Sequence, residues 1–218
     1  MTVTQTEIDA MIFGSSLDEY GLKDVPFVPD VFYDIGANIG GVTLLAAELF
    51  PNTKIIAVEP QPDNYAAMLQ VTGHLPNVVR LNKALGLGPV YQVPESPGTG
   101  NWIFVNETGP SYTESMIPAD VESVTLSALM EEYGGDKVIV KLDCESGELM
   151  VLYHEPSKQA LLSASWIGIE FHLWGATHEL HEQVVRDVTM FLYELAKTHN
   201  VKADLHGECV NLIAGRRE

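Results

Sequence analysis

The sequence predicts an α/β fold built on a mostly parallel β-sheet. Short runs rich in β-branched apolar residues alternate with segments of helical periodicity, as in βαβ units. A glycine-rich turn follows the first of these runs, at the position where parallel sheets bind ligands. The chain has 218 residues, of which 46% are hydrophobic and 19% charged, enough for one domain with a large core. We therefore expect right-handed crossovers with helices on both faces of the sheet.

The elements follow in order along the chain. Residues 1–30 are expected to form an N-terminal helix and a covering segment, and residues 31–218 the main domain. Seven strands are predicted for its sheet, at 31–34, 54–58, 78–82, 137–142, 165–171, 201–205 and 208–214. Helices are predicted at 42–50, 63–72, 127–133, 146–153 and 177–198.

Two regions depart from the βα alternation. The stretch 88–112 contains two β-rich runs around a turn rich in proline and glycine, which is typical of a β-hairpin insertion. The last two predicted strands are separated only by a turn at Gly207, too short for a crossover. We therefore predict that they pair antiparallel and give the sheet an antiparallel edge strand.

Composition narrows the range of partners. Thirty acidic residues against 12 basic ones give a formal charge of −18, which repels phosphate backbones and anionic lipids. A small-molecule or glycan substrate is expected, and neither a nucleic acid nor a membrane partner. With only Cys144 and Cys209, and no secretory signal pattern, a cytoplasmic location is expected. The oligomeric state is left open.

The glycine-rich turn, residues 34–41, has the features of a ligand-binding loop. Gly36 and Gly40 permit close approach of a ligand to the backbone, and Asn38 tolerates the left-handed conformation. Glu59 ends the next predicted strand, nineteen residues after Gly40, where a carboxylate can bind both hydroxyls of a ribose. Together these features predict a cofactor that contains adenosine, either a dinucleotide or S-adenosylmethionine.

Two residues favour S-adenosylmethionine over a dinucleotide. The dinucleotide fingerprint requires glycine where this chain has Asn38. Asp34 lies two residues before the first glycine, where a carboxylate suits the free ammonium group of S-adenosylmethionine. A nicotinamide-dependent dehydrogenase is therefore a distant alternative.

Three stretches together carry a family resemblance. They are Asp34-Ile35-Gly36-Ala37-Asn38-Ile39-Gly40 with Val58-Glu59-Pro60, Val124-Thr125-Leu126 leading into Val140-Lys141-Leu142-Asp143-Cys144-Glu145-Ser146-Gly147-Glu148, and Ile169-Glu170-Phe171-His172. In these stretches the chain resembles the FkbM-type S-adenosylmethionine-dependent methyltransferases of the class I Rossmann-like superfamily. The family's usual Lys-Ile-Asp-Val-Glu-Gly-Ala-Glu differs here, because Ser146 and Gly147 replace Gly and Ala.

The resemblance implies the class I methyltransferase fold and a specific function. It implies S-adenosylmethionine as cofactor, S-adenosylhomocysteine (SAH) as product, and O-methylation of a hydroxyl on a small molecule, glycan or secondary metabolite. The predicted cofactor-binding residues are Asp34, Gly36, Ala37, Asn38, Gly40, Glu59, Pro60, Asn82 and Asp143.

The predicted catalytic residues follow two neighbouring strands. Asp143, Glu145, Glu170 and His172 are expected to face one cleft, with His172 or Asp143 as general base. Such a cluster could also raise a carboxyl pKa or bind a divalent metal, although no metal site is predicted. The alternative is that these acids only cap the following helix and bind Lys141, for which a structural ion pair is expected.

Two aromatic residues and one alternative function complete the predictions. Trp102 and Trp174 are expected near the acceptor, where an apolar molecule or sugar could stack. The altered segment at Ser146 and Gly147 also leaves open a non-catalytic cofactor-binding or assembly module of the same fold.

Overall fold

A computed structural model describes residues 18–92, 103–105, 117–145, 147–173, 178–206 and 209–217. The strands are β1 Val31–Ile35, β2 Lys54–Val58, β3 Val78–Leu81, β4 Lys83–Leu85, β5 Val90–Gln92, β6 Ile103–Val105, β7 Ile117–Pro118, β8 Glu122–Val124, β9 Val138–Leu142, β10 Trp166–His172, β11 His199–His206 and β12 Cys209–Arg216. The helices are α1 Gly41–Leu49, α2 Pro62–Thr72, α3 Leu126–Tyr133, α4 Glu148–Tyr153, α5 Glu155–Ser163 and α6 His178–Leu195. A 3₁₀ turn covers Leu22–Asp24.

The main sheet confirms the predicted topology. Its seven strands lie in the order β11-β12-β10-β9-β1-β2-β3. The pairs from β10 to β3 are parallel, and β12 runs antiparallel to both of its neighbours. The closing pair lies at the sheet edge as predicted, with β12 as its inner strand. This follows from the connections, because α6 carries the chain past β10 to the outer position and β12 then pairs between β11 and β10.

The smaller sheets are more elaborate than the sequence predicts. β5 pairs antiparallel with β6, as expected for the hairpin, but β7 adds a third strand on the other side of β5. β4 and β8 form a parallel pair, and α5 follows α4; neither feature is predicted. These strands have two or three residues, too short for a period-2 pattern to be recognised.

Alternating side chains on the central strands pack into two hydrophobic cores. On β1, Val31, Tyr33 and Ile35 belong to the core on the side of helices α3 to α6, whereas Phe32 belongs to the core on the side of α1 and α2. This distribution confirms helices on both faces. No helix in the described part of the chain is long and apolar enough to span a membrane.

Candidate active site

The loop between β1 and α1 is tightly constrained. Gly36, Asn38 and Gly40 all have positive φ, at 77°, 51° and 96°. The backbone N–H groups of Gly36 and Ala37 both donate to the carbonyl of Val58, each with an N···O distance of 2.9 Å. A Cβ added to Gly36 would lie 1.7 Å from the carbonyl oxygen of Asp143. Glycine is therefore required at position 36. The loop is fixed by its backbone contacts with Val58 at the end of β2 and with Asp143 after β9.

Glu59 is held next to this loop by backbone donors. Its Oε2 accepts the N–H of Asn38 at 2.8 Å, and its Oε1 accepts the N–H of Gln61 at 2.9 Å. Burial of Glu59, which is only 5% exposed, raises the pKa of its carboxyl despite these donors. Asn82 donates from Nδ2 to the carbonyl oxygens of Glu59 and Pro60. The structure thus brings together Asn38, Glu59, Pro60 and Asn82, all predicted to bind the cofactor.

Asp34 occupies a different environment from the one expected. It is fully buried, accepts the hydroxyl of Thr43 at 2.6 Å, and lies 3.2 Å from Nζ of Lys141. Because this internal cation faces the carboxylate, direct contact between Asp34 and a cofactor ammonium group does not fit the geometry. Asp34 and Lys141 are register partners on β1 and β9, which places their side chains on the same face.

Lys141 forms the structural ion pair that the sequence predicts. Its ammonium also donates to the carbonyl of Gly36 at 2.5 Å and of Ile35 at 3.3 Å. Burial lowers the pKa of Lys141, but the carboxylates of Asp34 and Asp143 outweigh burial and leave it raised. Lys141 is therefore charged, and its ammonium binds the backbone carbonyls at the start of the glycine-rich loop.

Asp143 lies between the glycine-rich loop that follows β1 and a cluster of ionisable side chains, Glu145, Glu148, Glu170 and His172. Its Oδ2 accepts the hydroxyl of Tyr20 at 2.8 Å and lies 3.7 Å from Nζ of Lys141. Its Oδ1 lies 3.9 Å from Nε2 of His172. The centre of the Tyr20 ring also lies 5.5 Å from the Lys141 ammonium. Burial raises the pKa of the Tyr20 phenol, and the neighbouring Asp143 carboxylate raises it further. Tyr20 therefore covers Asp143 and Lys141 from the segment that precedes β1.

His172 is surrounded by carboxylates. Nε2 lies 3.6 Å from Oε2 of Glu145, and Nδ1 lies 3.5 Å from Oε2 of the fully buried Glu148. Burial lowers the pKa of His172, but the carboxylates of Glu148, Glu145 and Asp143 more than compensate and raise it to about 9. The imidazole of His172 is therefore protonated at neutral pH.

Glu145 is the most exposed acid of this cluster. Its side chain is 52% exposed, against 27% for Asp143 and 7% for His172. Its backbone has φ of 53°, a left-handed conformation that costs free energy in a residue other than glycine. Burial raises the pKa of the Glu145 carboxyl, and so do neighbouring carboxylates, whereas His172 lowers it.

Glu170 and Cys209 extend the cluster along the sheet. Glu170 shares a face of β10 with His172, and Cys209 is the register partner of His172 on β12. Burial and the charge of Asp143 raise the pKa of Glu170, and burial together with Glu170 raises that of the Cys209 thiol to about 11. Two sets of side chains have potential ligand atoms within 4.8 Å of one another and could hold a divalent cation: Glu170, His172 and Cys209, and Asp143, Glu148 and His172.

Two residues of the site are not among the sequence predictions. Glu148 was part of the family motif without an assigned role, and it accepts the N–H of Cys144 at 2.5 Å while facing His172. Glu148 thus satisfies a backbone N–H before α4, a role that the sequence alternative gives to the other acids of the cluster. Tyr20 gives no motif signal. Trp102 and Trp174, predicted near the acceptor, lie outside the described residues.

Comparisons with known proteins identify the family of the chain. The family model described as a methyltransferase FkbM domain matches residues 34–197. The methyltransferase sdnD of Sordaria araneosa is 28% identical over 189 residues, which cover 80% of this chain and 70% of that protein.

Solved structures resemble the whole sheet. An rRNA methylase from Streptococcus thermophilus matches with a TM-score of 0.51 at 9% identity, over 93% of this chain and 95% of its own. A Streptococcus mutans protein solved in complex with SAH matches with a TM-score of 0.52 at 11% identity, over 93% and 97%. These likenesses confirm the predicted class I methyltransferase fold.

Proposed function

Because this chain belongs to the FkbM family of methyltransferases, we propose that it transfers a methyl group from S-adenosylmethionine to a hydroxyl group of a small molecule or glycan. One observation carries the proposal. The half-exposed carboxylate of Glu145 lies beside the protonated His172, and Asp143 joins this cluster to the glycine loop of a cofactor cleft. The proposal takes Glu145 as a proton acceptor beside the bound cofactor.

The residues of the cleft fit the cofactor. Gly36 and Gly40 let the loop pack against the carbonyl of Asp143 and the side chain of Thr72, and the Glu59 carboxylate, with its two backbone N–H donors, has acceptor capacity left for a ligand. We assign Glu59 to the ribose hydroxyls, and Asn38, Pro60 and Asn82 to the adenosine side of the cleft. When bound, S-adenosylmethionine supplies a methyl group on a positively charged sulfur.

Glu145 removes the proton of the acceptor hydroxyl in this proposal. A general base works best when its pKa lies near the working pH, and burial raises the pKa of Glu145 toward that range. Its exposure lets it reach an acceptor, whereas His172 is almost completely buried. The strained backbone at Glu145 supports the same assignment, because such conformations concentrate at functional sites.

His172 acts through its charge rather than as a base. With its pKa near 9 it carries a proton at neutral pH, and this charge lowers the pKa of the Glu145 carboxyl. Glu148 holds the imidazole from the Nδ1 side and leaves Nε2 toward Glu145 and Asp143. Glu148 is therefore a positioning residue.

The charge of the cluster restricts the acceptor. The carboxylates of Asp143 and Glu148 raise the pKa of both Glu145 and Glu170, so four acidic side chains lie close together here. Acceptors that carry phosphate or carboxylate groups near the reacting hydroxyl would be repelled. We therefore propose a neutral or cationic acceptor.

The proposal is tested first by calorimetric titration with S-adenosylmethionine and SAH. Both are expected to bind, and binding of neither would overturn the cofactor assignment. Incubation with S-adenosylmethionine and a panel of hydroxylated small molecules and glycans, followed by mass spectrometry, should then show a product heavier by one CH₂ unit. The Glu145→Gln variant should bind SAH normally and yield far less product.

A further inference from the structure

A cavity lies at one end of the main sheet, and the cluster of Asp143, Glu145 and His172, here called the catalytic cluster, lies at the other end. It has a volume of about 680 Å³ and is lined where β9, β10 and β11 begin and β12 ends. Strand β9 runs from this cavity to Asp143, and its five residues, at about 3.3 Å each, separate the two sites by roughly 16 Å. We refer to it as the basic groove.

The charge of the basic groove is opposite to that of the chain. Lys137, Lys202, Arg216 and Arg217 line it, and Asp24 is the one acid among its lining residues. One third of the 12 basic residues of the chain are therefore gathered here, although the chain has 30 acidic residues. Among the described residues, none of these four cations forms an ion pair. The lining of the groove therefore has a net positive charge.

The two guanidinium groups are held in place by neutral acceptors. Arg216 donates from Nη1 to the carbonyl of Ser163 at 2.7 Å, and Arg217 donates from Nε to Oδ1 of Asn200 at 3.2 Å. A guanidinium has five N–H donors, so each keeps further donors for a ligand. Because paired guanidinium donors match the spacing of phosphate oxygens, this arrangement suits a phosphate group.

The apolar lining of the groove is rigid. Trp166 packs between Gly21 and Gly215: a Cβ on Gly215 would lie 2.9 Å from its ring and one on Gly21 3.2 Å. Its Nε1 donates to the carbonyl of Tyr20 at 3.1 Å. Phe27 adds a second aromatic side chain to the lining. An aromatic ring of a ligand could stack on these side chains with little loss of protein entropy.

We propose that the basic groove binds a small phosphate ester that carries an aromatic ring. Its volume lies in the range of small-molecule sites, its cations match the phosphate, and Trp166 and Phe27 match the ring. This inference does not depend on the proposed methyl transfer, because none of its residues belongs to the catalytic cluster.

Calorimetry with phenyl phosphate as the probe tests the proposal. Saturating SAH is included so that the cofactor cleft is occupied. The wild-type protein is expected to bind phenyl phosphate at least about tenfold more tightly than inorganic phosphate or benzyl alcohol, because both parts of the probe contribute. Absence of binding, or equal affinity for phenyl and inorganic phosphate, would overturn the proposal.

Two double variants separate the groove from the general charge of the protein. The Lys202→Gln, Arg217→Gln pair should weaken phenyl phosphate binding about tenfold or more. The matched pair Lys54→Gln, Arg186→Gln removes the same charges from exposed positions outside the groove and should leave affinity within about twofold. An equal loss in both double variants would show non-specific attraction and overturn the assignment. A Phe27→Ala variant should weaken phenyl phosphate but spare inorganic phosphate.

Discussion

The proposed cofactor half and the proposed acceptor half of the site both hold carboxylates, but these carboxylates have different partners. Glu59 in the cofactor half accepts backbone N–H groups from Asn38 and Gln61. Glu145 and Glu148 in the acceptor half face His172, a titratable side chain. Backbone donors do not titrate in the working range, so pH acts on this half through the Glu59 carboxyl itself, whose pKa burial raises. The acceptor half should titrate as a linked group. Four substitutions test this contrast.

Replacing Glu145 with Gln should have the largest effect on turnover. Loss of a general base typically lowers the rate about 10²- to 10⁴-fold, and SAH affinity should stay within about twofold because Glu59 is untouched. Steady-state kinetics and calorimetry measure the two quantities. Glu131→Gln, at an exposed position on α3, is the control. Near-normal turnover in Glu145→Gln would move the base to another residue.

The Gly36→Ala variant tests the close contact between Gly36 and the carbonyl of Asp143, which links the two halves of the site. Its Cβ would collide with the carbonyl of Asp143, so we expect a loss of about 3 kcal/mol or more in unfolding free energy, with weakened SAH binding. Gly134 is a matched control, because its φ of 71° is close to the 77° of Gly36 while a Cβ there would have no neighbour within 4 Å. Because Gly134 has ψ of −152°, a conformation nearly restricted to glycine, Gly134→Ala should lose about 1 to 3 kcal/mol from the backbone alone, and less than Gly36→Ala. Chemical denaturation of both variants decides; equal losses would contradict the steric explanation.

Glu59→Gln should impair the cofactor half alone. The amide nitrogen would face a backbone N–H donor, and one acceptor for the ribose would be lost. We expect SAH affinity to fall about 10- to 100-fold, with turnover at saturating cofactor reduced much less. The opposite pattern, normal affinity with low turnover, would place Glu59 in the chemical step.

Glu148→Gln should produce the smallest and most specific change. Without the Glu148 charge, the pKa of the His172 imidazole, raised to about 9 in the folded protein, should fall by about one pH unit. Turnover at neutral pH should change little, because His172 still carries its proton there. An NMR titration of the His172 ring measures the shift, and an unmoved pKa would show that Glu148 does not set the charge of His172.

The same pair affects stability. The pKa of His172 is raised above its ordinary 6.5 in the folded protein, so its stabilising contribution is complete below about pH 6.5 and is lost as the pH rises through 9. Glu148→Gln should therefore flatten the alkaline part of the stability profile.

The central sheet could be predicted from sequence because its strands are buried on both faces and read as continuous apolar runs. The positions of Asn38, Glu59, Asp143 and Glu145 followed for the same reason, since strand ends determine which residues reach the cleft. Asp34 was harder. Its pairing with Lys141 depends on the register of β1 against β9, two strands far apart in the chain, which a single sequence does not reveal.

Long-range contacts also explain the other gaps. Tyr20 reaches Asp143 across 123 positions of sequence, and no periodicity marks it. The charge of His172 depends on three carboxylates, those of Asp143 and Glu145 after β9 and that of Glu148 at the start of α4. The sequence could therefore suggest a base but not its protonation state.

Tyr20 also bears on where this domain begins. Sequence patterns place the first strand at Val31, yet Tyr20 donates to Asp143, accepts the indole N–H of Trp166 and packs against Gly168 so closely that a Cβ there would lie 2.7 Å from its own. A chain shortened to start at residue 31 would keep every strand of the sheet but expose Lys141 and Asp143 to water. The functional boundary of the domain therefore lies before Tyr20, some ten residues ahead of the boundary that the strand pattern suggests.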